Sequence, residues 1–268
     1  MKTGKPLALA LFLLLALWPL VLYAQQLSPT YLKAVDLAAK GKFPEAKQIF
    51  QKILAAEPYH ERAGRCLQIL ADLRNKKISD KAAAHLFLGL SYFYHDKFSA
   101  AVTQANLALR LNPQYARTYS ARGGYYFALG QNDKALADFR RALELDPQND
   151  GTYYNRGCLY LKTEKYERAI KNFTQAIKLN PKFASAFYNR GVAHFRKGES
   201  LWALVDFDRA AEINPRLAEP HFNRAVILEE LAKNQEAAAA YKKFLKLASP
   251  ALSLEIKYAR KRLQILGK

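Results

Sequence analysis

Hydrophobic residues recur at helical spacing along most of the chain, and no segment alternates apolar and polar residues as a half-buried strand does. Two such stripes precede Pro58: Tyr31, Ala34, Leu37 and Ala38 form the first, and Ala46, Ile49, Phe50 and Ile53 form the second. Gly41 supplies the turn between them, and Pro58 ends the second helix because proline cannot continue the hydrogen-bond ladder. The pattern therefore predicts a helix hairpin over residues 27–60.

The pattern then repeats at a constant step along the chain. Three sets of residues keep this step: Pro113, Pro147, Pro181 and Pro215; Phe139, Phe173 and Phe207; and Gly123, Gly157 and Gly191. A period of about 34 residues is typical of stacked helix hairpins, each of which cannot bury its apolar face alone. The predicted hairpins after the first are residues 82–115, 116–149, 150–183 and 184–217, with a looser one at 218–251.

Two segments lie outside this period. The interval from Pro58 to Pro113 is longer than one period, and the excess matches residues 61–81, which are predicted to form an inserted helix. Its apolar face consists of Ala63, Cys66, Leu67, Leu70 and Leu73. Residues 252–268 are predicted to form a capping helix that closes the array and keeps a basic outer face in water.

Residues 1–24 have the features of a secretion signal. Lys2 and Lys5 precede an apolar run from Leu7 to Leu17, and Ala24 suits the position before a cleavage site. An uncleaved membrane anchor is the other interpretation; cleavage is favoured because the run is short for a membrane span. Under both interpretations the rest of the chain is exported, to the periplasm or the outer membrane of a bacterial cell envelope.

The repeated units resemble tetratricopeptide repeats at seven positions in each of three successive units. The matching residues are Tyr119, Gly123, Tyr126, Ala135, Phe139, Ala142 and Pro147; Tyr153, Gly157, Tyr160, Ala169, Phe173, Ala176 and Pro181; and Phe187, Gly191, His194, Ala203, Phe207, Ala210 and Pro215. Small residues let paired helices approach closely, and aromatic residues fill the space between them. The resemblance implies an all-α, right-handed solenoid of about six hairpins, with one inserted helix and a C-terminal capping helix.

One position departs from the family pattern, which commonly has leucine there. Four units carry Arg122, Arg156, Arg190 and Arg224 at this position. A buried arginine without a partner is costly, so we interpret these residues as structural and expect Asp138 and Asp206 to pair with the arginines of their own units. The unit 150–183 has Asn172 instead, so the pairing cannot be uniform.

The resemblance also implies that the first helix of each hairpin lines a concave binding face. Asn155, Asn189 and Asn223 occupy equivalent positions on that face, and Tyr154, Tyr188 and Phe222 directly precede them. Asparagine offers a donor and an acceptor together, so a ladder of asparagines can hold the backbone of an extended peptide. Lys162, Arg196 and Arg117 would add positive charge. The other interpretation, that these asparagines bind only water, stays open.

The formal net charge of +19 favours acidic partners. Basic residues are in excess in segments 61–81, 150–183 and 252–268, so an acidic protein or peptide is the predicted partner. Two alternatives stay open: binding of anionic envelope polymer or membrane headgroups by the basic patches, and a role as regulatory subunit of an envelope enzyme or transporter. Export argues against nucleic acid as a partner, although the charge would fit it.

No motif in the sequence predicts catalysis, a metal site or a cofactor. The chain contains no HExxH, GxSxG or GxxxxGK[ST] pattern, and its histidines lack the spacing of paired metal ligands. Cys66 and Cys158 are isolated; a disulfide between them and two separate thiols packed in helices are both compatible with the sequence. The sequence therefore predicts a non-enzymatic binding scaffold.

Overall fold

The structure is a computed structural model and describes residues 28–267. Within this range it contains fourteen α-helices, one short 3-10 helix at Pro250–Leu252 and no strand, which confirms the all-α prediction. The predicted signal peptide, residues 1–24, lies outside the described residues. The α-helices are α1 (Pro29–Ala39), α2 (Phe43–Ala56), α3 (Glu61–Arg74), α4 (Asp80–Tyr94), α5 (Phe98–Leu111), α6 (Ala116–Ala128), α7 (Asn132–Leu145), α8 (Asp150–Lys162), α9 (Tyr166–Leu179), α10 (Ala184–Arg196), α11 (Ser200–Ile213), α12 (Glu219–Glu230), α13 (Asn234–Leu247) and α14 (Ser253–Leu266).

The chain forms two compact units. The N-terminal unit comprises Leu27–Leu159 with Lys178–Asn180, and the C-terminal unit comprises Tyr160–Ile177 with Pro181–Lys268. In the N-terminal unit the helices pair as hairpins α1–α2, α4–α5 and α6–α7. In the C-terminal unit they pair as α10–α11 and α12–α13, and α14 packs against α13. Hairpins of two antiparallel helices are thus the building block of each unit.

Proline and its preceding residue end the second helix of each regular hairpin. Helices α5, α7 and α11 stop two residues before Pro113, Pro147 and Pro215. The residue that follows each helix leaves the helical region, with φ values of −138° at Asn112, −142° at Asp146 and −125° at Asn214. The physical reason is that proline disfavours helical backbone in the residue before it. The fixed position of proline therefore sets a fixed helix length.

Close approach within a hairpin depends on glycine at one position of the first helix. A Cβ atom on Gly123 would lie 2.6 Å from Cε1 of Phe139, whose ring is fully buried between α6 and α7. In the C-terminal unit, a Cβ atom on Gly191 would lie 2.8 Å from Cε1 of Phe207. Real Cβ atoms do not approach an aromatic ring so closely, so a phenylalanine in this position leaves room only for glycine on the facing helix.

The adjacent glycines Gly123 and Gly124 provide a matched test of this packing. We expect Gly123→Ala to lower the free energy of unfolding by about 1–2 kcal/mol, because overpacking of the Phe139 ring outweighs the gain in helix propensity. Gly124 lies in the same helix, but a Cβ atom there would meet nothing within 4 Å. Gly124→Ala should therefore raise the free energy of unfolding by about 0.5–1 kcal/mol. Urea denaturation followed by circular dichroism measures both values, and equal shifts would contradict the close-approach explanation.

Helix α3 is excluded from the stack of hairpins in the N-terminal unit. Helix α1 packs directly against α4, although α3 lies between them in the sequence. Ser91 on α4 donates a hydrogen bond of 2.6 Å to Asp36 on α1, and the Tyr31 and Tyr94 hydroxyls are 3.0 Å apart. The break in the period is therefore an insertion beside the stack, which leaves the contact between successive hairpins intact.

Two of the arginines at the unusual repeat position, Arg122 and Arg190, form the ion pairs that were predicted for them. Arg122 donates to both carboxylate oxygens of Asp138 at 2.7 Å, and its third contact is Asn106 at 2.6 Å. Arg190 donates to Asp206 in the same way, at 2.9 and 2.7 Å. The hydrogen bonds that Arg122 donates to the Asp138 carboxylate raise the pKa of Arg122. Asn172, which takes the place of this aspartate in the unit 150–183, donates to the backbone carbonyl of Arg168 at 2.7 Å, and an uncharged amide cannot form an ion pair.

Candidate partner-binding face

The first helices of the N-terminal unit form one face, and α3 crosses it. This first-helix face is built from α1, α4, α6 and the beginning of α8. The Cys66 thiol on α3 lies 3.4 Å from the Tyr31 hydroxyl on α1. The Arg65 guanidinium lies 6.0 Å from the centre of the Tyr154 ring on α8 and fills the position that a Cβ atom on Gly151 would take. One helix thus contacts both ends of the face.

Asp72 anchors the C-terminal end of α3 to the same face. Its carboxylate is buried and accepts hydrogen bonds from the Tyr115 hydroxyl at 2.9 Å and from Nε of Arg117 at 3.1 Å. Lys77 lies 3.8 Å from the other carboxylate oxygen. Burial and the negative charge of Asp72 raise the pKa of Tyr115. Bonds of this kind, with a charged acceptor, are among the stronger hydrogen bonds in proteins.

Apolar packing holds α3 in place together with these polar contacts. Ala63, Cys66, Ile69 and Leu70 are buried in one hydrophobic cluster with residues of α1 and α4. Burial of Ile69 and Leu70 alone should contribute about 1.5–3 kcal/mol each. Burial raises the pKa of the Cys66 thiol to about 12, so this thiol stays protonated at neutral pH. We conclude that α3 is an integral part of the unit and that it occupies much of the first-helix face.

A pocket of about 150 Å³ remains between α3 and the first-helix face. We call it the α3 pocket. Three arginines line it, two from α3 (Arg62 and Arg65) and one from α6 (Arg117). Its apolar wall includes Ile69 of α3 and Leu86 and Leu90 of α4. The remaining polar lining comprises Tyr31, Tyr94, Ser120, Asn149 and Asn155. A cationic lining beside an apolar wall suits an amphiphilic anion.

The structure brings together three of the predicted binding residues, all in the N-terminal unit. Arg117 and Asn155 line the α3 pocket, and Tyr154 lies under the Arg65 guanidinium. Each of them therefore lies beside or within the surface that α3 covers. Helix α3 thus covers part of the face along which a bound peptide was predicted to lie.

Four predicted binding residues of the C-terminal unit are buried. Tyr188 is 2% exposed, Asn189 and Asn223 are 3% exposed, and Phe222 is fully buried. The Asn223 amide donates a hydrogen bond of 3.1 Å to the Tyr188 hydroxyl. The Phe222 ring packs against Tyr258 of α14 with centroids 5.9 Å apart, so the capping helix covers it. Contact of these four residues with a partner stays a prediction, and it requires the side chains to become accessible.

The two predicted basic residues of the C-terminal unit differ in their surroundings. Lys162 is exposed, whereas Arg196 is half-buried. Burial lowers the pKa of Arg196, and the neighbouring Tyr166 and Glu164 oppose this shift. The guanidinium nevertheless stays charged at neutral pH because an arginine pKa starts far above 7. Both side chains thus supply positive charge in this unit.

Sequence reasoning did not identify Arg62 and Arg65 as site residues. The signal that could have found them is the inserted helix itself, because its basic residues interrupt a face that is otherwise apolar.

Among the described residues, no group of three or more histidine, cysteine or carboxylate side chains is arranged to hold a metal ion. None of the helices from α1 to α14 is long and apolar enough to span a membrane. Cys66 and Cys158 are not bonded to each other.

Comparison with protein families identifies the repeats. Residues 123–164 and 159–198 match a family described as TPR repeat, and residues 218–250 match one described as tetratricopeptide repeat. The chain therefore carries tetratricopeptide repeats in these ranges, which agrees with the resemblance drawn from its residues. No curated protein matches the sequence.

Solved structures show the same fold at low sequence identity. PilF of Pseudomonas aeruginosa is similar with a TM-score of 0.62 and 20% identity, over 70% of this chain and 89% of that one. MamA of Desulfovibrio magneticus RS-1 has a TM-score of 0.55 and 19% identity, over 63% of this chain and 96% of that one. YrrB, described as a TPR protein with an unusual peptide-binding site, has a TM-score of 0.52 and 21% identity, over 71% and 96%. The common feature is the helical repeat fold.

Proposed function

We propose that the protein is a non-enzymatic scaffold of a bacterial cell envelope, which binds an acidic segment of a partner protein. The observation that carries this proposal is the cluster of Arg62, Arg65 and Arg117 on the first-helix face of a tetratricopeptide fold. Repeat folds of this kind offer extended surfaces for other chains. The description of the structural neighbour YrrB as having a peptide-binding site supports the same class of function. Positive charge would steer an acidic partner to the face and fix its orientation.

The partner has to bind around α3. Because α3 fills much of the first-helix face, we place the contact in the N-terminal unit at the half-buried arginines that line the α3 pocket. Within the C-terminal unit, Lys162 and Arg196 remain the predicted basic contacts. The proposed location is the periplasm or the outer membrane, and an N-terminal anchor with an exported repeat domain is the alternative. Both rest on the basic and apolar pattern of residues 1–24.

Site-specific crosslinking in cells tests the proposal. A photoreactive amino acid at position 155, in the wall of the α3 pocket, should crosslink a defined partner. The same amino acid at position 133, which is exposed on the second helix α7, is the control and should not. The yield at position 155 should fall severalfold between about 0.1 M and about 1 M salt, because salt screens exposed charges. Equal crosslinking at both positions, or a yield that does not change with salt, would contradict the proposal.

A second candidate function is binding of anionic polymer or membrane headgroups. The observation that favours it is a set of exposed basic residues from the end of α3 to the start of α4: Arg74, Lys76, Lys77 and Lys81. Such a set attracts anionic surfaces without any pocket. Sedimentation of the purified chain with anionic liposomes, but not with neutral ones, would favour this candidate over the first.

A further inference from the structure

We infer that the α3 pocket binds a small organic carboxylate whose apolar group is about the size of a leucine side chain. The pocket volume of about 150 Å³ sets this size. Apolar cavities of about 150 Å³ in other proteins hold a molecule such as benzene. A long acyl chain or a second helix is too large for this space. The inference does not depend on the proposed function, because neither a free acid nor the end of a polypeptide has to be an acidic internal segment of a partner.

The wall of the pocket accounts for the apolar part of the ligand. Ile69 comes from α3, and Leu86 and Leu90 come from α4, so two helices contribute to one apolar surface. Leu86 is 1% exposed and Ile69 is 7% exposed, which means that neighbouring helices hold these side chains in place. Because Leu86 and Ile69 are already almost fully buried, the apolar surface that binding removes from water is mainly that of the ligand.

The arginines account for the carboxylate. The described lining of the pocket includes three arginines and neither aspartate nor glutamate. Arg117 uses Nε for its bond to Asp72, and within residues 28–267 no hydrogen bond is formed by its two terminal amino groups. Asp72 therefore orients the Arg117 guanidinium and leaves its outer edge for a ligand. A planar guanidinium binds a carboxylate through two parallel hydrogen bonds.

The charges of the α3 arginines act on the interior of the pocket. Burial raises the pKa of Tyr94, which lines the pocket, and the positive charges of Arg62 and Arg65 lower it. Because Arg62 and Arg65 also line the pocket, their positive charge favours an anion inside it. Asn155 also lines the pocket, and its side-chain amide forms no hydrogen bond with any residue of the described range. This amide can donate a hydrogen bond to one oxygen of the ligand's carboxylate.

Two sources can supply this chemistry. One is the C-terminal residue of a polypeptide, and the other is a free organic acid. An internal peptide segment does not fit, because α3 occupies the face along which such a segment would continue on both sides. The ligand therefore enters by one end, with its apolar group against Leu86 and its carboxylate toward Arg117.

Calorimetric titration of the unaltered, purified chain tests the inference directly. The probes are 4-methylpentanoate, which is a free acid, N-acetyl-leucine, which represents the end of a polypeptide, and N-acetyl-leucinamide, which lacks the carboxylate. We expect the amide to bind at least about tenfold more weakly than the better of the two acids. Tighter binding of N-acetyl-leucine indicates a polypeptide end, and tighter binding of 4-methylpentanoate indicates a free acid. Binding of the amide as tightly as both acids, or no binding by either acid, would overturn the inference.

Variants locate the binding site on the protein. Arg62→Gln combined with Arg65→Gln should weaken binding of the better acid by about tenfold or more. Arg74→Gln is the matched control, because Arg74 is on the same helix but is exposed and does not line the pocket. It should bind as the unaltered chain does. Ala121→Leu, which fills the pocket from α6, should abolish binding of both acids. Unchanged affinity in the folded double variant and in Ala121→Leu would place the ligand elsewhere.

Discussion

Replacement of Phe139 by alanine is expected to lower the free energy of unfolding by about 3–5 kcal/mol. The Phe139 ring is fully buried between α6 and α7. Alanine would lose the apolar burial of the ring and leave a cavity that the rigid helix pair cannot close. Urea denaturation followed by circular dichroism measures the change. Leu201→Ala is the control, because Leu201 is 70% exposed and its loss should be nearly neutral.

A double-mutant cycle shows whether Gly123 and Phe139 act through the same contact. On its own, Gly123→Ala is expected to destabilise, since the new methyl group meets the Phe139 ring. In the Phe139→Ala background that ring is gone, so the substitution should cost less than in the unaltered chain; the remaining close contact of the new Cβ atom is the Ala135 carbonyl at 3.2 Å. If Gly123→Ala is equally destabilising in both backgrounds, the ring is not the cause of its effect.

The fold could be predicted from the sequence because the repeat imposes the same steric requirement in each unit. Gly123 with Phe139 and Gly191 with Phe207 occupy equivalent positions of the repeat. In both units the glycine of the first helix faces the ring of the second. Proline at a fixed position ends each second helix, so helix lengths follow from the sequence as well. These requirements are local to one hairpin, and a local requirement can be inferred from spacing alone.

The location of α3 could not be predicted in the same way. The extra segment 61–81 and its apolar face indicate that a helix is present, but nothing in its periodicity specifies the surface against which it packs. That choice depends on contacts across long sequence distances, such as Asp72 with Tyr115 and Arg65 with Tyr154. The α3 pocket depends on the same contacts. Its arginines from α3 were therefore missed, whereas Arg117 and Asn155 were predicted from their repeat positions.

Burial of the predicted asparagines in the C-terminal unit has a similar explanation. Repeat position identifies Asn189 and Asn223 as residues of the first helices, and this part of the prediction needs only the period. Their exposure depends on what packs around them. Tyr188 bonds to Asn223, and α14 covers the neighbouring Phe222. The sequence indicates that a capping helix exists, but which side chains it covers depends on the tertiary packing of the C-terminal unit.

The pairing of arginine with aspartate inside a hairpin was predictable, and its loss should be costly. We expect Asp138→Asn to lower the free energy of unfolding by about 3 kcal/mol, near the lower end of the range for breaking a buried ion pair, because Arg122 keeps partial contact with water. Asparagine keeps the shape of the side chain and removes its charge, so the Arg122 guanidinium would stay half-buried without its counter-ion. Urea denaturation again gives the value.

Two further variants distinguish the effect on stability of losing the buried ion pair from the effect of losing any charged side chain. Glu144→Gln, also on α7, breaks an exposed pair with Arg141 whose side chains are 43% and 51% exposed, and it should leave stability unchanged. Adding Arg122→Met to Asp138→Asn should recover part of the lost stability, because it removes the charge that Asp138 had neutralised. The interpretation of these arginines as structural requires that recovery. If Asp138→Asn is as neutral as Glu144→Gln, Arg122 does not need its partner for folding, and a role for Arg122 in binding would have to be reconsidered.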